Sequence, residues 1–469
     1  MLLGLATLLL TVTGEPADPA SHLLKEYLAY PTEHSTLEAA RMWLREAKQL
    51  GIESAIWSVD PAGECVHFVA YLPATELISG QPILLLHHGD TAPTDDPSSS
   101  SSTFLPNWMK AQTDWELYGP GVLETKGPGV VQWMAFKSLL NKSRSRDLFF
   151  LMSCGSHDRS PYGIQAFFHF FVKNLPGMTY ELQTLDKINT AQFINRFPKL
   201  HQIAFVWNSE TFGNADWISP SRLALLATAE KGYWRGRISF EIPSEDTNGL
   251  AEKIWAHGSQ KLIRENLSFS QKLHSLHTEM FDLAKIAGST TAFWERMIIS
   301  LYPRFFFEHR HLEKLVSSWW QEFSPLHESD GHSFGELEYY FLGDQTRPEI
   351  ETKVRTSFSS NPFSKSLKLF VQTLEYSNFR RDFLEGIEAQ VIKQILTNYS
   401  HVLVSPYIDP HVNDSHYFRQ MGVKTYSFVP FFLTNAQMES LHTSGERLPH
   451  DQLTEAVEIE TRILERLLK

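Results

Sequence analysis

The 469-residue sequence contains only two cysteines, Cys65 and Cys154. This excludes a Cys-rich zinc module and leaves room for a single disulfide. A long basic run is also missing. Lys and Arg total 42 against 54 Asp and Glu, a formal net charge of −12. Such a chain lacks the phosphate-neutralising stripe of a nucleic-acid binder, so no nucleic-acid partner is expected. No apolar run reaches the ~20 residues that span a bilayer. The one membrane-like stretch, Leu2 to Val12, is followed by Gly14, Pro16 and Pro19. Residues 1–19 are read as an export signal or simply an apolar terminus, and no Lys or Arg precedes the stretch. Export would place the protein in the secreted or periplasmic class; otherwise it is cytoplasmic.

Apolar residues make up 42% of the chain and charged residues 20%, which is ordinary for a globular protein and wrong for a disordered one. The length is about three times a common domain size of ~150 residues, ample for a large core. In the first half, helical and strand patterns alternate. Ser35 and Glu38 have capping-box spacing before a helical repeat at Leu37, Ala40, Leu44 and Ala47. Val66 to Leu72 reads as a strand. Ile83 to Leu86 is wholly apolar, as a strand covered on both faces should be. Thr91 to Ser102, with two Pro, two Asp and five consecutive Ser, reads as a surface loop. Gly129 to Leu140 suits a helix, and Leu148 to Met152 and Ile203 to Trp207 suit buried strands. Pro161 fits a first helical position, with Ile164, Phe167, Phe168 and Phe171 on one face.

The middle of the chain differs. A strand pattern at Tyr233 to Ile242 gives way to aromatic-rich helical patterns from Thr247 to Trp320, then to a returning strand at Leu367 to Leu374. From Val402 the strand–helix alternation resumes, closing in an amphipathic helix with Ala456, Ile459, Ile463 and Leu467 on one face. The reading is a mainly parallel α/β domain (20–235 and 396–469) interrupted by an inserted α+β lid domain (236–395).

Chemistry-bearing residues cluster just beyond the expected strand ends, where α/β sheets place their ligand sites. His88-Gly89-Asp90 follows the apolar strand, and the two side chains lie two residues apart, facing one way in extended chain. Asp90 is placed to accept the second ring N–H of His88. Tyr118 to Gly127, with three Gly and one Pro running into a helix, sets Glu124 near a helix N-terminus, where a carboxylate is stabilised. His157-Asp158 and Asn208-Ser209-Glu210 follow the next two strands. His442 lies in Leu441 to Arg447, just before the last helix. Asp330-Gly331-His332 is read as a lid loop, and His411, Asp414 and His416 as structural or substrate-side.

In this order the motifs resemble the co-catalytic zinc peptidases that include aminoacylases, carboxypeptidases and dipeptidases. Ala229 to Tyr233 resembles that family's entry into its lid, and Asn413-Asp414-Ser415 with Phe418 a late family signal. The resemblance covers roughly residues 20–235 and 400–469. It implies two zinc ions: His88 on one, His442 on the other, Glu124 bridging, Asp158 a terminal ligand on one, and Asn208 or Glu210 on the other. Asp90 would support the site, and His157 stands where the family has its Glu base. The implied activity is hydrolysis of a small peptide or N-acyl amino acid, with a homodimer formed through the lid. The chain departs from the pattern by one methylene at both Glu124 and Asp158, ~1.5 Å each, and by an amide at Asn208. The alternative is a degenerate relative that binds a peptide or protein partner without cleaving it.

Overall fold

The computed structural model describes residues 15–76, 80–92, 106–111, 114–156, 162–166, 202–241, 249–267, 278–289, 291, 293–302, 306–307, 312, 317–329, 332–360, 362, 368–382, 386–400, 402–443 and 445–469. Residues 1–14 of the expected signal segment 1–19, His157-Asp158, Pro161, Phe167, Phe168, Phe171 and Asp330-Gly331 lie outside the described residues, as does most of the Thr91 to Ser102 loop.

Two helices, α1 (Pro19–Leu28) and α2 (Leu37–Gln49), precede strands β1 (Glu53–Trp57), β2 (His67–Leu72) and β3 (Gly80–His88). A short ribbon, β4 (Asn107–Lys110) and β5 (Trp115–Tyr118), leads to a wide helical turn at Val122–Lys126 that runs into α3 (Gly127–Lys137). Then come β6 (Arg146–Ser153), β7 (Phe205–Asn214), β8 (Leu223–Glu230) and β9 (Gly232–Glu241). The middle supplies α4 (Leu250–Leu267), α5 (Thr278–Gly288), α6 (Phe293–Leu301), β10 (Trp319–Ser329), β11 (His332–Phe341), α7 (Arg347–Ser359), β12 (Lys368–Ser377), β13 (Arg380–Arg381) and α8 (Ile387–Ser400). The chain ends in β14 (Leu403–Asp409), α9 (Ser415–Gln420), β15 (Lys424–Leu433), α10 (Asn435–Ser440), β16 (Arg447–Pro449) and α11 (His450–Leu467).

The large sheet runs β1-β2-β6-β3-β7-β15-β8-β13, with β14 also paired to β8. It is mixed, where a mainly parallel sheet was expected. β6, β3, β7 and β15 are mutually parallel, as are β8 and β14, but β1–β2, β2–β6, β8–β15 and β8–β13 are antiparallel. The cause is local: nine residues join β1 to β2, too few for the crossover a parallel pair requires.

The parallel centre is covered on both faces. In β3, Ile83 and Leu85 join one core with Trp43, Trp133 and Phe150, while Leu84 and Leu86 join the other with Trp57, Phe149 and Leu151. α1, α2, α3 and α11 line the first face, and Phe418 of α9 packs on the second. Within 236–395 the packing divides. β10-β11-β9-β12 form a separate four-stranded antiparallel sheet, with α4 and α7 supplying Ile254, Trp255, Val354 and Phe358 to its core. α5 and α6 instead pack Met280, Leu283 and Ile299 against Leu225 and Ile408 of the large sheet.

The cap expected at Ser35 and Glu38 forms otherwise. Thr36 is the residue that precedes α2, and its hydroxyl bonds across to Val66, accepting its N–H at 2.9 Å and donating to its carbonyl at 2.8 Å. Tertiary bonding outcompetes the local cap because it anchors α2 to the start of β2.

Glu460 of α11 is fully buried, and neither carboxylate oxygen has a hydrogen-bond partner. Burial pushes its pKa well above the ordinary value. The folded state therefore holds a proton that the unfolded chain loses above about pH 4.3, so this group's contribution to stability falls as pH rises, by about 1.4 kcal/mol per unit. Glu460→Met should unfold at higher urea than the parent, with the gap widening from pH 5 to 8. A gap independent of pH would show that Glu460 is ionised in the fold.

Candidate metal centre

The ends of β3 and β6 and the middle of their neighbour β7 present polar residues on the face opposite α3. His88 continues the Leu84–Leu86 row of β3, Ser153 the Phe149–Leu151 row of β6, and Asn208 the Val206 position of β7. Register aligns them: His88 sits beside Ser153, and Asn208 beside Leu86. The loop after β14 closes over these ends. Ser153 Oγ donates to Asp414 Oδ2 at 2.6 Å, and Asn208 Nδ2 donates to Ser415 Oγ at 2.7 Å and to Asn413 Oδ1 at 3.4 Å.

His88 is buried, and its Nδ1 lies 2.9 Å from the backbone carbonyl of Asp90. A carbonyl only accepts, so Nδ1 carries the hydrogen and Nε2 of the neutral ring keeps its lone pair. The expected partner was the Asp90 carboxylate, but its Oδ1 stands 3.7 Å away. Gly89 packs against Met152, where a Cβ would meet Sδ at 2.7 Å.

Asn208 and Glu210 were expected to follow a strand. Both lie inside it, because β7 runs on to Asn214 with its pairing to β15 interrupted around Ser427 and Val429. The Asn208 carbonyl oxygen is buried without a hydrogen-bond partner, and so are both Glu210 carboxylate oxygens. Glu210 is raised well above the usual carboxylate range by burial, then by the charges of Asp414, Glu230 and Asp409. Burial likewise pushes Asp409 and Asp414 up to about 6 and Glu230 up to about 8. Arg419, which lies within this group, is paired with Glu230, with Asp382 at 3.3 Å, and with the carbonyls of Ala227 (3.2 Å) and Thr425 (2.9 Å).

A second cluster forms around the wide turn before α3. Gly121 enters it in the left-handed region at φ 76°. Glu124 Oε1 stands 3.2 Å from His442 Nδ1. Among the described residues, His442 is the only non-glycine with positive φ, at 63°. Its N–H donates to Glu446 Oε1 at 3.3 Å. Glu446 is fully buried, its Oε2 has no hydrogen-bond partner, and burial together with the Glu124 charge pushes it to about 8. Burial also lowers Lys126 to about 7, its Nζ donating to the Tyr30 carbonyl at 2.7 Å. The clusters abut where Thr91, next to Asp90, packs so closely on Gly121 that a Cβ there would stand 2.4 Å from its methyl.

The structure thus brings His88 together with Asp90 and Asp414, seats Asn208 and Glu210 beside Asp414, and pairs Glu124 with His442; His157 and Asp158 are outside the described residues. The sequence reading gave Glu446 and Glu230 no role, although both lie in quoted segments. Their only signal is a carboxylate buried in a loop or strand end, which no periodicity reveals. Orphaned buried oxygens, crowded carboxylates and two imidazoles are nitrogen and oxygen donors of the kind a divalent cation takes, although among the described residues no three of these carboxylates and imidazoles bring donor atoms within 4.8 Å of one another. Two donors on a tetrahedral zinc stand about 3.3 Å apart, close to the Glu124–His442 separation.

Arg419→Met should cost about 3–5 kcal/mol of unfolding free energy in urea, because it strands Glu230 without its counter-ion. Adding Glu230→Leu should recover part of that loss. A single variant as stable as the parent would mean the pair adds nothing.

No protein-family model matches this sequence, and no curated protein matches it. Solved structures do match. The M20 family metallo-carboxypeptidase Sso-CP2 from Sulfolobus solfataricus aligns over 96% of this chain and 99% of its own, with a TM-score of 0.64 at 13% identity. Human carnosine dipeptidase 1 aligns over 95% of each chain, with a TM-score of 0.63 at 14% identity. The Bacillus subtilis YXEP protein, described as a dinuclear metal binding peptidase of the M20 family, covers 96% of this chain and 97% of its own, with a TM-score of 0.53 at 10% identity. The chain shares the fold of these M20 metallopeptidases.

Proposed function

We propose that the protein is a metal-dependent hydrolase of amide bonds in small peptides or N-acyl amino acids, working with two zinc ions. The observation that carries this reading is the set of buried carboxylates and imidazoles gathered at one face of the large sheet, with Asn208 Oδ1 and both Glu210 carboxylate oxygens buried without a hydrogen-bond partner. A fold shared with a metallo-carboxypeptidase, a dipeptidase and a dinuclear peptidase supports it.

In this reading His88 and Asp158 hold one ion, His442 and either Asn208 or Glu210 hold the other, and Glu124 reaches both. When bound, such a pair lowers the pKa of a shared water and polarises the scissile carbonyl. The chain's own residues do the rest. The Asp90 carbonyl fixes the His88 ring with Nε2 as its lone-pair nitrogen. Glu446 holds the His442 backbone in place. His157 takes the water's proton and returns it to the leaving amine; an unperturbed imidazole, with a pKa of ~6.5, suits that work near neutral pH. Export, and dimerisation through the four-stranded sheet, belong to the same proposal. Among the described residues, no helix is long and apolar enough to cross a membrane.

A second reading, peptide binding without cleavage, is favoured by Asn208, whose amide nitrogen is already committed to Ser415 and Asn413.

The test is metal analysis of the purified protein together with hydrolysis of a panel of dipeptides and N-acyl amino acids. His88→Ala should lower bound zinc. His157→Ala should keep the metal and lose ~10²–10⁴-fold in turnover. Unchanged zinc in His88→Ala would overturn the ligand assignment. Zinc without hydrolysis of any substrate would favour the second reading.

A further inference from the structure

Among the described residues, one group of soft donors lies away from the clusters just described. Cys65 and Cys154 form a disulfide that ties the entry of β2 to the exit of β6. His67 Nε2 stands 3.3 Å from Cys154 Sγ, and one donor atom from each of Cys65, His67 and Cys154 lies within 4.8 Å of the others. His67 and Cys154 are buried, and Cys65 is half-buried, which gives the group a path to solvent.

Neither cysteine depends on the disulfide for its place. The Asp60 carboxylate accepts the N–H groups of Ala62 (3.0 Å), Glu64 (2.9 Å) and Cys65 (3.0 Å), fixing the turn that carries Cys65. Ser58 Oγ donates to the Cys65 carbonyl at 2.5 Å. Cys154 directly follows Ser153, whose carbonyl accepts the Gly89 N–H at 2.7 Å. His67 lies on a central-sheet strand, its ring stacked on Trp57 at 4.2 Å between centroids.

We propose that reduction of Cys65–Cys154 creates a third cation site, in which both thiolates and the His67 imidazole hold one zinc ion with a water as fourth ligand. Donors on a tetrahedral zinc stand roughly 3.5–3.8 Å apart. Rotation of the two cysteine side chains on a fixed backbone opens the sulfurs to that spacing. Burial depresses the His67 pKa to about 4, so the ring is neutral at physiological pH, as a metal ligand must be. In the oxidised protein Nε2–H donates to the Tyr162 carbonyl at 2.9 Å, and Nδ1 is buried without a hydrogen-bond partner. Zinc capture moves the ring proton to Nδ1 and frees the Tyr162 carbonyl.

A phosphine supplies the reduction. The S–S bond breaks, phosphorus gives two electrons and gains oxygen from one water, and that water's two protons complete the two thiols. Zinc then displaces both thiol protons to solvent.

The test compares the full chain oxidised and after phosphine reduction and desalting, each loaded with Co²⁺ and, separately, Zn²⁺. Thiolate-to-cobalt charge-transfer absorption in the near ultraviolet should appear only in the reduced protein. Native mass spectrometry should count one more zinc there. His67→Ala should weaken that extra zinc by at least tenfold, and Cys65→Ser/Cys154→Ser should abolish both signals. Equal zinc counts without a thiolate band in the reduced parent would overturn the proposal. The ligands assigned to the hydrolytic site are nitrogen and oxygen donors and give no thiolate band, so this outcome is independent of whether the protein hydrolyses amides.

Discussion

Like charges do not share a buried space without a counter-charge, and most of this molecule's polar interior follows from that constraint. Asp414, Glu210, Asp409 and Glu230 are all pushed up chiefly by burial, and Glu210, Glu230 and Asp414 further by acidic neighbours. Arg419 satisfies Glu230 and Asp382 at the rear of the group. On the side of His88, Asp414 is held by Ser153, and the amide of Asn208 bonds to Ser415. Two remedies exist for such a cluster. Its acids hold protons, or a cation enters. The first is visible as raised pKa values, and the second is what an array of carboxylate oxygens and imidazole nitrogens is chemically fit to receive.

The sheet makes this concentration affordable. Its parallel centre is buried on both faces, so each strand interior must be apolar, and polar residues can enter only where a strand runs out. Because β3 and β6 are parallel and in register, they run out together, while β7 runs on to Asn214 where its pairing to β15 is interrupted. His88, Ser153 and Asn208 are the first polar residues on one face of three adjacent strands, and the loop carrying Asn413, Asp414 and Ser415 is fastened to two of them. The same alternation turns His87 the other way, into Tyr27, Trp43 and Phe150, where neither ring nitrogen finds a hydrogen-bond partner and burial holds it neutral. Adjacent histidines thus meet opposite fates through the period-two geometry of a strand alone.

Much of this was legible in the sequence, for identifiable reasons. Apolar runs such as Ile83 to Leu86 can only be doubly covered strands, and His-x-Asp or Gly-rich segments beyond them mark strand ends. The strand directions were not legible, because β1–β2 and β8–β15 pairing depends on connections and partners that single-strand patterns do not encode. Nor was the extent of β7: Asn208, Ser209 and Glu210 read as loop on polarity, yet the sheet extends through them because β15 supplies a partner. Thr36 illustrates the same limit, its hydroxyl drawn from a local cap to Val66 by a contact 30 residues away. Glu446 and Glu230 are invisible to periodicity because their burial is decided by loops that fold over them.

The two halves of the candidate centre differ in how firmly they are built, and this bears on the departures at Glu124 and Asp158. The strand-end half is fixed by sheet register and offers little adjustment. The half around Glu124 is made of a wide helical turn and a loop. His442 there adopts a backbone conformation that a non-glycine residue reaches only at a cost of order 1–3 kcal/mol, persisting where its surroundings over-determine it. Glu446 supplies that determination by accepting the His442 N–H from a fully buried position. Wide turns and strained loops are also the elements whose backbone can shift by about an ångström without disturbing a sheet. If Glu124 holds a cation as proposed, a carboxylate one methylene longer at that position would be better accommodated there than the same change on β3 or β7.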